Sequence, residues 1–526
     1  MKRSRKDSIS LSYATLSKKN RKYPSRADLK KVGVSRDMIR DHFGDMEALK
    51  LAAKQLYPRH FDKIVEPETF ADSAHRGLQQ KVREYQKFII TTAIAGAPVH
   101  SDFLASIKKY AELHDAMILI FPANYALYDI DHELISDPDI QIVFKRLKMN
   151  SNLSLDPIKI DPKQVDPTTG LDALGKTDGT VIIGSPKQRR ISIANSNQKL
   201  ARIIQATGAI TKPKYVPKDG VPKRRDRLAE EHHVMGAMIV EIVDETFYHI
   251  RNVQMKKDGS FNDLFVNYDE DGMRFVGCEA IIQGDYHTTE TDPVVDAAVD
   301  EMCAIGKPKY RVFHDFFSGV SINHHEMRNK VKRAILAEEK KISLEEEMRL
   351  NAEAIEKKRN LGTAKHLVFV KSNHDEFLDR YLAEGDFDDA NRKISTRLQV
   401  LAMDGKDPLK EGLEQYFGMK SGKDVIWLER DQDFRTAGVE SGAHGDLGSN
   451  GRRNPGAKGM YKAYGKVTFG HCHHGEIWHG AMSVGTSSKM KLGYNRGSSS
   501  WDNSQAIQYD DGTRQLINVI KGKWRL

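Results

Sequence analysis

The chain has 526 residues, 39% apolar and 29% charged, with a formal net charge of +9. That composition excludes a disordered chain, and the length accommodates three or four domains at about 100–200 residues each. Its three cysteines, Cys278, Cys303 and Cys472, are too widely spaced for a disulfide framework, which points to a reducing compartment. The longest apolar stretches, residues 88–99 and 116–121, are too short to span a bilayer, so no membrane partner is expected. Met1-Lys2-Arg3-Ser4-Arg5-Lys6 is basic but leads into no apolar h-region, so no secretory leader is expected and a cytoplasmic protein is.

In chain order, residues 1–20 are polar and read as a basic, flexible arm. Residues 1–31 hold eleven Lys/Arg against two Asp. Residues 21–75 read as a small helical domain. Ser25 and Ser35 are N-cap candidates, Gly33 and Gly44 are stops, and a third helical run follows from Met46 to Tyr57. Two helices about Gly33, the second carrying Arg36 and Arg40, suggest a helix-turn-helix that contacts DNA. A small packing module is the alternative.

Residues 76–274 form an α/β and β-rich middle region. Strand 88–94, helix 102–113 and strand 116–121 predict a βαβ unit with a parallel pair. Shorter strands are predicted at 236–243, 246–253 and 261–266. A second basic stretch contains Lys212, Lys214, Lys218, Lys223, Arg224, Arg225 and Arg227. Basic clusters of this kind neutralise phosphates, although a solvated surface explains either one alone. No catalytic constellation is evident in this region.

From residue 275 to 526 the α/β alternation resumes, interrupted by a charged run at 327–360 that reads as one long exposed helix. Four apolar strand signals here each end in metal-ligand residue types. Ala280-Ile281-Ile282 leads to Asp285 and His287, and Tyr310-Arg311-Val312-Phe313 leads to His314 and Asp315. Leu367-Val368-Phe369-Val370 leads to Asn373, His374 and Asp375, and Val467-Thr468-Phe469 leads to His471, Cys472 and His473. Functional groups gather at the carboxyl ends of strands in α/β sheets, because the loops there share one crevice. His444 sits in a Gly-rich loop, and another such loop, 448–459, carries Arg452, Arg453 and Lys458. Asp, Asn and His suit manganese, iron or zinc.

The order Asp-x-His, Asp, Asn-His-Asp, His, Gly-His-x-His resembles the calcineurin-like metallophosphoesterases. It looks most like phage-encoded members of that family, through Gly-Asp-x-His, Ser-Asn-His and the ending Val484-Gly-Thr-Ser-Ser488, Asn495, Ser499-Ser500-Trp501. The resemblance covers about residues 275–526 and implies an α/β fold, with a two-sheet αββα sandwich preceded by the middle region and the helical domain. It implies two divalent cations, Mn2+ foremost and Mg2+, Fe or Zn2+ as alternatives. One would be held by Asp285, His287, Asp315 and His473. The other would be held by Asp315, Asn373, His444 and His471, with Asp315 as the bridge. His374 would protonate the leaving oxygen and Asp375 would orient His374. The chain departs from the family pattern at His314 and Ser372, where glycine is usual. His324 and His325 are candidates for substrate contact, with exposed loop histidines as the alternative.

The implied activity is metal-dependent hydrolysis of DNA phosphodiester bonds, in the setting of host-DNA degradation by a phage, with a homo-oligomer as an open alternative to a monomer. Two other readings stand beside it. One is a small-molecule phosphoesterase, such as a nucleotidase or cyclic-nucleotide phosphodiesterase. The other is a non-catalytic DNA-binding host-takeover protein, against which a complete ligand set argues.

Overall fold

Ser25 and Ser35 act as the caps their positions suggest. In the computed structural model, Ser25 forms a reciprocal capping box with Asp28 ahead of helix Arg26–Lys31, and the Ser35 hydroxyl accepts from the Met38 N–H ahead of helix Arg36–Phe43. The structure describes residues 4–20, 24–57, 60, 70–123, 134, 136–196, 200–216, 220–324, 329–492 and 495–526. It divides into two units, Met1–Arg76 and Gly77–Leu526.

In the first unit, the turn between the two capped helices has Gly33 at φ +82°, a left-handed value that glycine adopts without strain. Helix Met46–Leu56 follows, capped by Asp45. The flexible arm expected at 1–20 is instead the helix Arg5–Asn20. Its Ile9, Tyr13 and Ala14 are buried against Leu29, Ile39, Leu49 and Ala53. The polar composition hid an apolar i, i+4, i+5 stripe, which is enough to dock a helix on a small core. Arg40, a candidate DNA contact, is flanked by Asp37 at 3.1 Å and Asp41 at 3.2 Å.

The second unit is mixed α/β. The predicted βαβ unit is present as strand Lys87–Ile94, helix Ser101–His114 and strand Ala116–Ala123, with the two strands parallel. They belong to a five-stranded sheet that also holds Gly236–Ile242 and Tyr248–Gln254. A six-stranded sheet runs Val425–Leu428, His366–Val370, Tyr310–Phe313, Ala280–Gln283, Ser504–Gln508, Arg514–Asn518. Its first four strands are mutually parallel.

The third large sheet has ten strands and crosses the boundary expected at residue 275. Strand Arg189–Ile193 of the middle region pairs with Glu476–Trp478, so 76–274 and 275–526 share one sheet. Arg190 sits at this seam, fully buried, with Asp502 at 2.8 Å. On one side of the seam, Ile477 and Met482 pack against Ile282, Val312 and Val368 of the six-stranded sheet. On the other side, Leu155, Ile182 and Ile203 pack against Phe88, Leu119 and Met238 of the five-stranded sheet.

Helices cover the outer faces. Leu344–Leu361, Asp375–Glu384, Arg392–Met403 and Pro408–Tyr416 pack on Phe313 and Phe369, while Gly456–Tyr464 packs beside Val467 and Trp478. The single exposed helix expected at 327–360 is two helices, Lys330–Glu338 and Leu344–Leu361, the second capped by Ser343. The second helix buries Leu344, Met348, Ala352 and Ile355 in this core. Its heavy charge obscured the stripe, and Met327 lies outside the described residues.

Tyr13→Ala should destabilise the first unit by about 3–5 kcal/mol, the usual cost of removing a buried aromatic ring. Hydrogen exchange should then accelerate in helix Met46–Leu56 and stay unchanged in strand Ala280–Gln283. Equal exchange in wild type and variant would mean that helix Arg5–Asn20 does not dock.

Candidate metal centre

Strands Ala280–Gln283, Tyr310–Phe313 and His366–Val370 are parallel neighbours, so their carboxyl ends open side by side. Backbone bonds continue the register past the strand ends: the Tyr286 N–H donates to His314 O (2.9 Å) and the His287 N–H to Asp315 O (2.7 Å). Asp285, His287, Asp315, Asn373 and His374 therefore arrive from one sheet. His471 and His473 follow strand Val467–Phe469 of the facing ten-stranded sheet, and His444 follows its strand Val439–Glu440. The Gly470 N–H donates to His444 O (2.9 Å), joining the last two loops.

This convergence carries backbone strain. His287, Asp315, His471 and His473 have φ of 47°, 46°, 66° and 55°. Left-handed values are uncommon for residues other than glycine and cluster at functional sites. Packing is equally tight: a Cβ on Gly470 would lie 2.2 Å from Asp285 Oδ1, so no larger residue fits there. The Val484-Gly-Thr-Ser-Ser488 string supports the first strand end. Asp285 N donates to Gly485 O (3.1 Å) and Ser487 N donates to Asp285 O (2.9 Å).

The side chains close into one cluster. His473 Nε2 lies 3.1 Å from Asp285 Oδ2, and His444 Nε2 lies 3.3 Å from Asp315 Oδ1 and 2.9 Å from Asn373 Oδ1. His287 Nε2 lies 3.7 Å from Asp315 Oδ2 and 3.3 Å from His473 Nε2. Asp285 and Asp315 are 0% and 1% exposed, and Asp285 Oδ2 and both Asp315 carboxylate oxygens have no hydrogen-bond partner among the described residues. Buried carboxylates this poorly satisfied call for positive charge.

The ionisation pattern answers that need. Burial pushes both carboxyls up, but His473 beside Asp285 and His444 beside Asp315 outweigh it and hold both below the usual range. Burial pushes His444 down, but the charges of Asp315 and Asp285 raise it to about 9. His287 is driven the other way, to about 3, by burial and by neighbouring His374, and so stays neutral with a lone pair to offer. Two groups, His287 with Asp315 and His374, and Asp285 with Asp315 and His444, bring their ligand atoms within 4.8 Å of one another. Asp315 belongs to both, as a bridging carboxylate would.

The structure changes one expected role and adds detail at two neighbouring residues. Asp375 does not orient His374: its carboxylate accepts from the Ser372 N–H (2.7 Å) and hydroxyl (3.1 Å), capping the turn that opens helix Asp375–Glu384. The Ser318 carbonyl takes the orienting place, 2.7 Å from His374 Nδ1. A carbonyl only accepts, so Nδ1 carries the proton and Nε2 holds the lone pair of the neutral ring. Ser318 carries no sequence signal, because its backbone does the work. His471 Nε2 is engaged by Asn454 Oδ1 at 2.8 Å, so among the expected ligands this is the one whose Nε2 points to a partner outside the cluster. Cys472 packs with the core beside Met460, and burial raises its thiol.

His314 is fully buried with neither ring nitrogen hydrogen-bonded among the described residues. His324 contacts Arg380 (2.8 Å), and His325 lies outside the described residues. Trp501, known from sequence only as part of a string, packs edge-on to His473 with ring centroids 4.2 Å apart. The next residue, Asp502, donates its N–H to His473 O (3.0 Å) while its carboxylate pairs with Arg190.

The chain is similar to a phage protein. It is 28% identical over 479 residues to Protein A1 of Escherichia phage T5, covering 85% of this chain and 84% of that one. No family model and no solved structure matches the chain. No helix among the described residues is long and apolar enough to cross a membrane.

In the metal-free protein, Asp375 is raised to about 7, chiefly by burial and further by the Asp315 charge. His444 is raised to about 9. Both folded values exceed the unfolded ones of about 3.9 and 6.5, so both groups stabilise the fold while protonated. Stability in chelator should therefore fall as pH rises, through Asp375 up to about 7 and through His444 up to about 9. The double variant Asp375→Asn, His444→Gln should flatten that slope in denaturant titrations. A wild-type slope in the double variant would contradict both assignments.

Proposed function

We propose that this protein is a metal-dependent DNase that hydrolyses phosphodiester bonds, with Asp315 bridging two divalent cations. The observation that carries the reading is the pair of buried, incompletely satisfied carboxylates, Asp285 and Asp315, ringed by His287, His444, His473 and Asn373. Asp285, His287, Asp315 and His473 would hold one cation. Asp315, Asn373 and His444 would hold the other, with His471 joining through Nδ1 or by releasing Asn454. Mn2+ suits this mixture of carboxylate, amide and imidazole donors, and Mg2+, Fe and Zn2+ are the alternatives. Two such cations supply Lewis-acid polarisation of a phosphoryl oxygen and a lowered pKa for water.

The remaining chemistry belongs to side chains. To act as the acid, His374 would carry a second proton, on Nε2, as the imidazolium and give it to the leaving oxygen, while the Ser318 carbonyl keeps Nδ1–H directed away from it. Phe377 packs on the His374 ring, with centroids 4.7 Å apart, and limits its rotation.

DNA is favoured over a small phosphoester by the basic excess of residues 1–31, the paired short helices about Gly33 and the similarity to a phage protein. The second basic stretch supports this less than its composition suggests. Lys214 is engaged by Gly96 O and Arg225 by Asp161, and Lys218 lies outside the described residues.

Two variants separate metal binding from proton transfer. Asp315→Ala should lose both cations, read by elemental analysis, and lose DNA hydrolysis in Mn2+, with the circular dichroism of wild type. His374→Ala should keep its metal and lose about 10²–10⁴-fold in rate on DNA. An activated aryl phosphodiester, which needs little leaving-group protonation, should lose less. Loss of a cation from His374→Ala would make His374 a ligand. Hydrolysis of aryl phosphodiesters but of no DNA would favour a small-molecule phosphoesterase.

A further inference from the structure

We propose that the metal centre lies midway along a groove that grips one DNA strand on both sides of the scissile phosphate, so that the strand is cut internally rather than from an end. The inference rests on the DNase reading above and adds the form of substrate that the site takes.

Two cavities open on the cluster. One, of about 390 Å3, is lined by His287 and His374 together with Lys332, Lys341, Lys491 and Arg496. The other, of about 450 Å3, is lined by Asn373 and His471 together with Arg380 and Arg453. Asn373 and His374 are consecutive, so the end of strand His366–Val370 forms the divide between the cavities and each reaches candidate ligands. A mononucleotide or a chain terminus with its phosphate at the cluster would occupy only one of them. A strand continuing in both directions occupies both.

The charge on each side fits flanking phosphates. In the first cavity the carboxylates Glu290 and Glu339 are both taken by Lys341, at 2.8 and 3.2 Å. Exposed Lys491 and Arg496 have no ion-pair partner among the described residues. In the second cavity the carboxylates Glu376 and Asp446 are both taken by Arg430, at 3.3 and 2.5 Å. Among the described residues Arg453 has no ion-pair partner, and Arg380 meets no carboxylate, its guanidinium lying 2.8 Å from His324 Nε2. Each flank thus keeps a pair of cations directed at an incoming polyanion, the arrangement of an electrostatic track along a single strand. Each cut adds one water across one P–O bond. Phosphorus gains the water oxygen, the leaving nucleoside oxygen takes a proton, and one fragment ends in a phosphomonoester and the other in a hydroxyl.

A circular single-stranded DNA has no ends and tests this directly. With Mn2+, wild-type protein should linearise and then shorten the circle. The double variants Lys491→Gln with Arg496→Gln, and Arg380→Gln with Arg453→Gln, should each lose about ten-fold in kcat/KM on the circle at 0.2 M salt, the share of two phosphate contacts. Each should lose less on bis(4-nitrophenyl) phosphate, which fills neither flank. A circle left intact while linear DNA is shortened from its ends would overturn the inference and leave the DNase reading standing. So would a loss confined to one double variant, since only one cavity would then hold substrate. Failure to cut any DNA while the aryl phosphodiester is hydrolysed would remove the DNase reading itself, and the groove with it.

Discussion

The rest of the site follows from two carboxylates, Asp285 and Asp315, held out of water at the ends of adjacent parallel strands, with three of their four oxygens unsatisfied by hydrogen bonds among the described residues. An uncompensated buried charge costs several kcal/mol, so the fold must supply cations or protons beside them. It does so with imidazoles: His473 faces Asp285, and His444 is held protonated by Asp315. A proton on His444 and a divalent cation answer the same electrostatic demand, and a coordinating imidazole must be neutral.

Holding histidines from one sheet against carboxylates from another requires the two sheets to be locked together. The ten-stranded sheet does this through residues far from the motifs. Strand Arg189–Ile193 pairs with Glu476–Trp478, and Arg190 sends its guanidinium to Asp502, Asn518 and the Gly475 carbonyl. Asp502 in turn holds His473 through its backbone. Asn252 of the five-stranded sheet bonds the backbone of Arg514 and Leu516 and fastens the other sheet edge. The middle region is therefore part of the frame of the site rather than an appended domain.

Much of this was legible in the sequence, for physical reasons that also explain the gaps. Strand-end residues such as Asp285, Asp315 and Asn373 stood out because an apolar run followed by polar ligand types leaves a linear trace. The βαβ unit was legible for the same reason. Ser318 was not, because it acts through a carbonyl that every residue has, and Asp375 turns to Ser372 because adjacency to His374 in sequence does not make a contact. The helix Arg5–Asn20 and the split of the charged run at Glu339 depend on a few buried positions among many polar ones. The seam at Arg190 joins residues nearly 300 apart, and no local pattern encodes it.

The central claim is that Asp315 bridges two cations, and anomalous diffraction from crystals grown with Mn2+ tests it most directly. The account predicts two manganese peaks about 3.5–4 Å apart, with the Asp315 carboxylate between them and Asp285 and His444 on opposite sides. A single peak, or two peaks that do not share Asp315, would contradict it.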